Sequence, residues 1–204
     1  MTDDEDCLDV QRKKRAEPVK FFQSENKAKR ECRVARTFLA NLGLSFSDEE
    51  LIPAQDPPDV QFRDANFEVK EILDKGRRRH REYKERFNEA THATAPISSV
   101  RPVAFIELTI SEVYDRIFQE AKRLAIQKYS LDVRQTLDLL FYVNLIHTFE
   151  FVETPFPNVA ALSLLGWRSV SFVKGDRSCV LTATIEAPIF IRETDGRVVH
   201  RKDR

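Results

Sequence analysis

Residues 137–146, LDLLFYVNLI, restrict the fold more than any other part of the chain. The run is apolar almost throughout and fits a buried strand. It falls well short of the roughly 18 consecutive apolar residues that a membrane-spanning helix needs. No run of that length occurs elsewhere in the sequence, so no membrane span is expected.

Helical and strand signatures alternate around this run. Residues 24–43 read as a helix, with Ser24 to cap it and Gly43 to end it. Ala28, Cys32, Ala35, Phe38, Leu39 and Leu42 recur at helical spacing and define one stripe. Setting Ala28 at zero and advancing about 100° per residue puts Glu31 at about 300°, between Phe38 at about 280° and Leu42 at about 320°. A carboxylate inside an apolar arc needs a metal, a lysine or an arginine beside it, or must bend out to water. Residues 110–129 are a strong amphipathic helix on Val113, Ile117, Ala121, Leu124 and Ala125, and Thr109 with Glu112 has the spacing of a capping box. Residues 77–94 read as a further helix opening after Gly76, with His80, Tyr83, Phe87 and Ala90 on its inner face. LSFS at 44–47 and PVAFIEL at 102–108 read as strands. SVSFV and SCVLTAT flank Lys174–Arg177, and IFIR and RVVHR flank Thr194, Asp195 and Gly196. Both pairs read as hairpins.

The expected class is therefore mixed α/β, with a central sheet that carries helices. A chain of 204 residues suits one domain, residues 18–204, behind a charged N-terminal tail or helix, residues 1–17. The tail carries Arg12, Lys13, Lys14 and Arg15, which read as a solvated charge run, with phosphate contact as the other possibility. The opening MTDDEDC is acidic, has no apolar stretch behind it and is not read as a signal peptide. The three cysteines, Cys7, Cys32 and Cys179, are far apart and form no CxxC pair. Neither a zinc site nor a disulfide framework is suggested, and a reducing cytoplasm is the expected compartment. The 33 basic and 33 acidic residues balance, which argues against coating of nucleic acid through bulk charge but leaves room for a local basic patch.

The segment with the most chemistry is PPDVQFRDANFEVKEI, residues 57–72. VQF and FEVKEI read as two strands joined by Arg63, Asp64, Ala65 and Asn66. Side chains alternate faces along a strand, so Glu68 and Lys70 point one way and Val69 the other. Asp59 opens the preceding strand, and a hairpin brings it alongside the Glu68–Lys70 face. Two carboxylates and an ammonium then converge. Hard oxygen ligands of this kind hold Mg²⁺ or Mn²⁺, and a lysine nearby orients an attacking water or stabilises the transition state. The E-x-K triplet alone says little, since it recurs at Glu25/Lys27, Glu82/Lys84 and Glu120/Lys122, all in helix-like surroundings. Ordinary surface ion pairs on an exposed hairpin are the plain alternative for Glu68 and Lys70. Arg77, Arg78, Arg79, His80 and Arg81 follow at once, and read as phosphate contacts or as a solvated helix turn balanced by Glu82 and Glu85.

Pro58-Asp59, eight intervening residues, then Glu68-Val69-Lys70 resembles the PD-(D/E)XK signature of restriction-endonuclease-like nucleases. The wider stretch, residues 57–84, resembles an uncharacterised bacterial family described as endonucleases. The resemblance implies an αβββαβ core, here with extra C-terminal β-hairpins, in which the first carboxylate lies on the second strand and the triplet on the third. It implies that Asp59 and Glu68 are catalytic metal ligands, that the Val69 carbonyl is a further ligand and that Lys70 is the catalytic lysine. Glu31 would be the extra acid from the first helix. A polar residue on the following helix, His80 or Tyr83, would complete the site, although the glutamine-led pattern of some branches is absent. The activity implied is a Mg²⁺- or Mn²⁺-dependent endonuclease acting on nucleic acid, DNA first. A non-catalytic nucleic-acid-binding or assembly module on the same fold is the second possibility, and an unrelated α/β protein whose hairpin mimics the motif is the third. The C-terminal hairpins are candidates for a homodimer surface or for a flap over substrate.

Overall fold

The computed structural model describes residues 26–74, 76–77, 82, 85, 88, 91–92, 106–145 and 148–201. The expected tail at 1–17, the Ser24 cap and the inner face His80, Tyr83, Phe87 and Ala90 lie outside them. The chain divides into two compact units, one of Met1–Arg30 with Lys75–Ala104 and the other of Glu31–Asp74 with Phe105–Arg204. Among the described residues of the first, Arg77 donates from Nε to both carboxylate oxygens of Glu82 at 3.0 Å.

The second unit is built on a seven-stranded sheet. Its strands are β1 (Ile52–Pro53), β2 (Val60–Phe62), β3 (Ala65–Leu73), β5 (Asp138–Asn144), β7 (Ser169–Lys174), β8 (Arg177–Ala183) and β9 (Arg197–His200), and they lie in that order across the sheet. β1, β2 and β3 form an antiparallel meander. β5 runs parallel to β3, and β7 parallel to β5. β8 and β9 add antiparallel to the far side. β4 (Ile106–Thr109) and β6 (Thr148–Val152) pair in parallel as a separate two-stranded sheet. The mixed α/β architecture with a central sheet is thus as expected.

The continuous apolar run behaves as a buried strand because both of its faces are covered. Leu139, Phe141 and Val143 of β5 join Ile72, Val170, Phe172 and Leu181 in one core, under α2 (Ile110–Gln127). Leu140 joins Phe67, Val69, Val173 and Val180 in the other, under α1 (Lys27–Asn41). Alternating residues of the central strands serve opposite faces. Of the stripe predicted on α1, Ala35, Phe38 and Leu39 are buried, Cys32 and Leu42 are half-buried and Ala28 is exposed. α1 stops as the sequence suggests. Gly43 adopts φ 78°, and Leu44 N–H reaches back to Leu39 C=O at 3.2 Å, satisfying a carbonyl that the helix end leaves open.

The predicted capping box forms at α2. Glu112 N–H donates to Thr109 Oγ1 at 3.2 Å and Thr109 N–H to Glu112 Oε2 at 2.8 Å. The Thr109 N–H, then its hydroxyl, hold the Glu112 carboxyl below its ordinary value. That contribution is full above the ordinary carboxylate value and is lost as pH falls through the lower folded value. Thr109→Ala is expected to lower the unfolding free energy by about 1 kcal/mol in urea titration, and an unchanged midpoint would contradict a working cap.

Two expectations change. LSFS is not a strand. Its residues lead irregularly into a 3₁₀ turn, Asp48–Glu50, and the meander's first strand is Ile52–Pro53. IFIR is not half of a hairpin. Ile189–Arg192 is a helical turn that buries Ile191, and β9 pairs with β8 instead. Short apolar runs do not distinguish the two states. One of the two predicted C-terminal hairpins, β7–β8, forms.

At the entrance of the parallel strands a buried carboxylate ties the sheet together. Asp138 accepts from Asn66 N–H of β3 at 2.9 Å, from Ser169 Oγ of β7 at 2.7 Å, and from Arg168 through Nε at 3.1 Å and through Nη2.

Candidate metal and phosphodiester site

The hairpin β2–β3 builds the site. Its ladder continues one step beyond β2, where Asp59 N–H donates to Phe67 C=O at 2.9 Å. This sets Asp59 beside Glu68 and Val69. The turn between the strands is Arg63–Asp64, with Arg63 at φ 52°, and Arg63 is held by Glu50 at 2.9 Å and by the Ser45 carbonyl at 3.1 Å.

Asp59 and Glu68 are 3% and 0% exposed. Asp59 Oδ2 accepts the Val69 N–H at 2.9 Å. The Lys70 ammonium lies on three oxygens: Val69 C=O at 3.0 Å, Asp59 Oδ2 at 3.5 Å and Glu68 Oε1 in a short contact. The predicted convergence of Asp59, Glu68, Lys70 and the Val69 carbonyl is therefore present. Glu68 Oε2 is buried and has no hydrogen-bond partner among the described residues. Such an orphaned carboxylate oxygen is expensive unless something electropositive meets it.

The third carboxylate here is Asp56, from the proline-rich loop before β2. One oxygen each of Asp56, Asp59 and Glu68 lie within 4.8 Å of one another. Glu31, half-buried on α1, is not one of this group. Of the predicted basic run, Arg77 is paired with Glu82, and Arg78, Arg79, His80 and Arg81 lie outside the described residues.

Two residues from the end of α2 complete the surroundings. The Tyr129 hydroxyl, buried, donates to Glu68 Oε1 in a short bond. Burial first, then the bond to Glu68, pushes its phenol well above the ordinary value, so it remains a proton donor across the physiological range. Trp167 packs edge-on against its ring at 5.7 Å. Arg134 fixes the turn that carries it, donating to the Ala125 and Tyr129 carbonyls at 3.0 and 2.6 Å. Lys128 Nζ lies 3.3 and 3.4 Å from the two Asp56 oxygens and 3.6 Å from Glu68 Oε1, above the Tyr129 ring.

Sequence reasoning passed over these residues. Lys128 follows Ile117, Ala121 and Leu124 along the apolar stripe of α2, and a lysine where that stripe predicts an apolar residue was the available signal. Asp56 sits among prolines, where no periodicity marks it.

The chain is similar to a solved protein of unknown function from Pseudomonas aeruginosa strain PAO1, which is described as monooxygenase superfamily. The two are 26% identical over 98% of this chain and 96% of that one, with a TM-score of 0.67. No curated protein matches. Among the described residues no helix is long and apolar enough to cross a membrane. A model of the family described as "Putative endonuclease, protein of unknown function (DUF1780)" matches residues 3–203, nearly the whole chain, and the chain belongs to that family.

Proposed function

We propose that this chain is a Mg²⁺- or Mn²⁺-dependent endonuclease that hydrolyses phosphodiester bonds, DNA foremost, on a restriction-endonuclease-like core. The observation that carries the reading is the seat of the Lys70 ammonium. A positive group rests on Asp59, Glu68 and the Val69 carbonyl, while Glu68 Oε2 is buried with no hydrogen-bond partner among the described residues. The ammonium stands in for a cation among hard oxygen donors, the set that suits Mg²⁺ or Mn²⁺. The order α1, antiparallel β1–β2–β3, β4, α2, then β5 parallel to β3 is one in which an αβββαβ core can be traced with β4 as an addition, and this supports the reading. The family's description as an endonuclease family points the same way.

Asp59, Glu68 and the Val69 carbonyl would hold the ion, with Asp56 in the place that the resemblance gives to Glu31. A bound divalent cation supplies a water of lowered pKa and neutralises charge on the phosphoryl oxygens. With those oxygens taken by the ion, the Lys70 ammonium would be free to orient the attacking water or to stabilise charge on the phosphoryl oxygens. Tyr129 holds Glu68 Oε1 by donation and so fixes the carboxylate's orientation. Arg77, Arg78, Arg79, His80 and Arg81 are proposed as contacts to flanking phosphates.

Supercoiled plasmid and labelled oligonucleotides with Mg²⁺ or Mn²⁺ test the reading. Cleavage should stop with chelator and fall about a hundredfold or more in Lys70→Ala, the scale of losing one transition-state charge contact. Metal binding with no cleavage of any nucleic acid would favour the non-catalytic module instead.

A further inference from the structure

We infer that Lys128 is a substrate-phosphate ligand held back by the carboxylates Asp56 and Glu68, and freed when those carboxylates take a divalent cation. The inference rests on the metal-dependent reading above. Lys128 is not needed to bury anything. Its side chain is 42% exposed, at the C-terminal end of α2, yet its ammonium is drawn inward to Asp56 and Glu68. Those are two of the three carboxylates that share the candidate ion. Two ammonium groups, those of Lys70 and Lys128, thus lie on one acidic cluster and share Glu68 Oε1.

A divalent cation among the same oxygens reverses the balance for Lys128. Its partners are neutralised, and a like charge lies a few ångströms away. A lysine stem is flexible, and its compact ammonium binds phosphate well. The partly exposed side chain turns to solvent, at the rim where a phosphodiester must approach. Metal and nucleic acid then bind with positive coupling, and the coupling is reciprocal.

The test compares wild type, Lys128→Met and, as a charge control on the same helix, the exposed Lys122→Met. Mn²⁺ binding is followed by calorimetry. Binding of a fluorescein-labelled single-stranded DNA is followed by anisotropy with and without Ca²⁺, over a salt series. The expected result is that Ca²⁺ tightens DNA binding by wild type and by Lys122→Met. Lys128→Met should bind DNA about tenfold more weakly in Ca²⁺, with a salt slope flatter by about 0.7. Its Mn²⁺ affinity should be equal or higher, because an internal competitor is gone. A residue that only supports the fold would weaken Mn²⁺ binding, and that result overturns the inference. So does a Lys128→Met protein that binds DNA with wild-type affinity and slope, or a wild type that binds Mn²⁺ but no DNA. A wild type without Mn²⁺ binding overturns the metal-dependent reading and this inference with it.

Discussion

Asp59→Ala is expected to abolish saturable Mn²⁺ binding, a loss of more than about a hundredfold, since outer-shell changes alone cost ten- to a hundredfold. Asp59 and Glu68 are the two buried acids of the cluster, and an oxygen of each lies within 4.8 Å of the other and of Asp56. The variant has a second effect that must be kept apart. Asp59 Oδ2 is the acceptor for the Val69 N–H, and removing it strands a buried donor at about 1–3 kcal/mol. Asp59→Asn separates the two: its amide oxygen still meets the Val69 N–H, so stability should hold while Mn²⁺ affinity falls. Calorimetry on both variants, with urea unfolding beside it, gives the answer. An Asp59→Ala protein that is folded and binds Mn²⁺ like wild type would remove Asp59 from the site.

Arg168→Ala should lower stability by about 3–5 kcal/mol, the range for removing one partner of a buried ion pair. Asp138 is 1% exposed, and Arg168 is the cation that faces it. Burial pushes the Asp138 carboxyl up, against the pull of Arg168, the Asn66 N–H and the Ser169 hydroxyl. A raised folded value means that the contribution is full below the ordinary carboxylate value and is lost as pH rises through the folded one. Without Arg168 the folded value rises further, so the destabilisation should be larger at neutral pH than in acid. Arg168 also donates to the Asp64 carbonyl at 3.2 Å, so the same change loosens the hairpin turn. A loss below about 1 kcal/mol at neutral pH would mean that the pair is solvated, as surface pairs are.

Both results bear on what was legible in the sequence. The β2–β3 hairpin was readable because its two signals agreed: strand alternation and a polar turn. Glu68 and Lys70 on one face followed from the period of two, and Asp59 beside them from the pairing of the hairpin. The long elements, β5 and α2, were readable from their apolar patterns, and the end of α1 from Gly43. What the sequence concealed depends on contacts distant in the chain. Asp138 looks like a blemish in an apolar run, and only the parallel register that sets it beside Ser169 makes it a hub. Lys128 and Tyr129 reach Glu68 across about sixty residues, and no local pattern encodes that meeting. IFIR was misread because four residues carry too little periodicity to separate a helical turn from a strand.

The sheet's two borders have a consequence for how these molecules meet one another in solution. A free strand edge offers a ladder of unpaired N–H and C=O groups to any neighbouring chain. Here one border is β1, two residues long, and its Pro53 has no N–H to give. The other is β9, four residues long, bounded by Arg197 and His200. Long ladders belong to the interior strands, where both sides are already paired. Such a sheet gives a second copy little to zip onto, and pairing through either of these borders is disfavoured where longer, flatter edges would invite it.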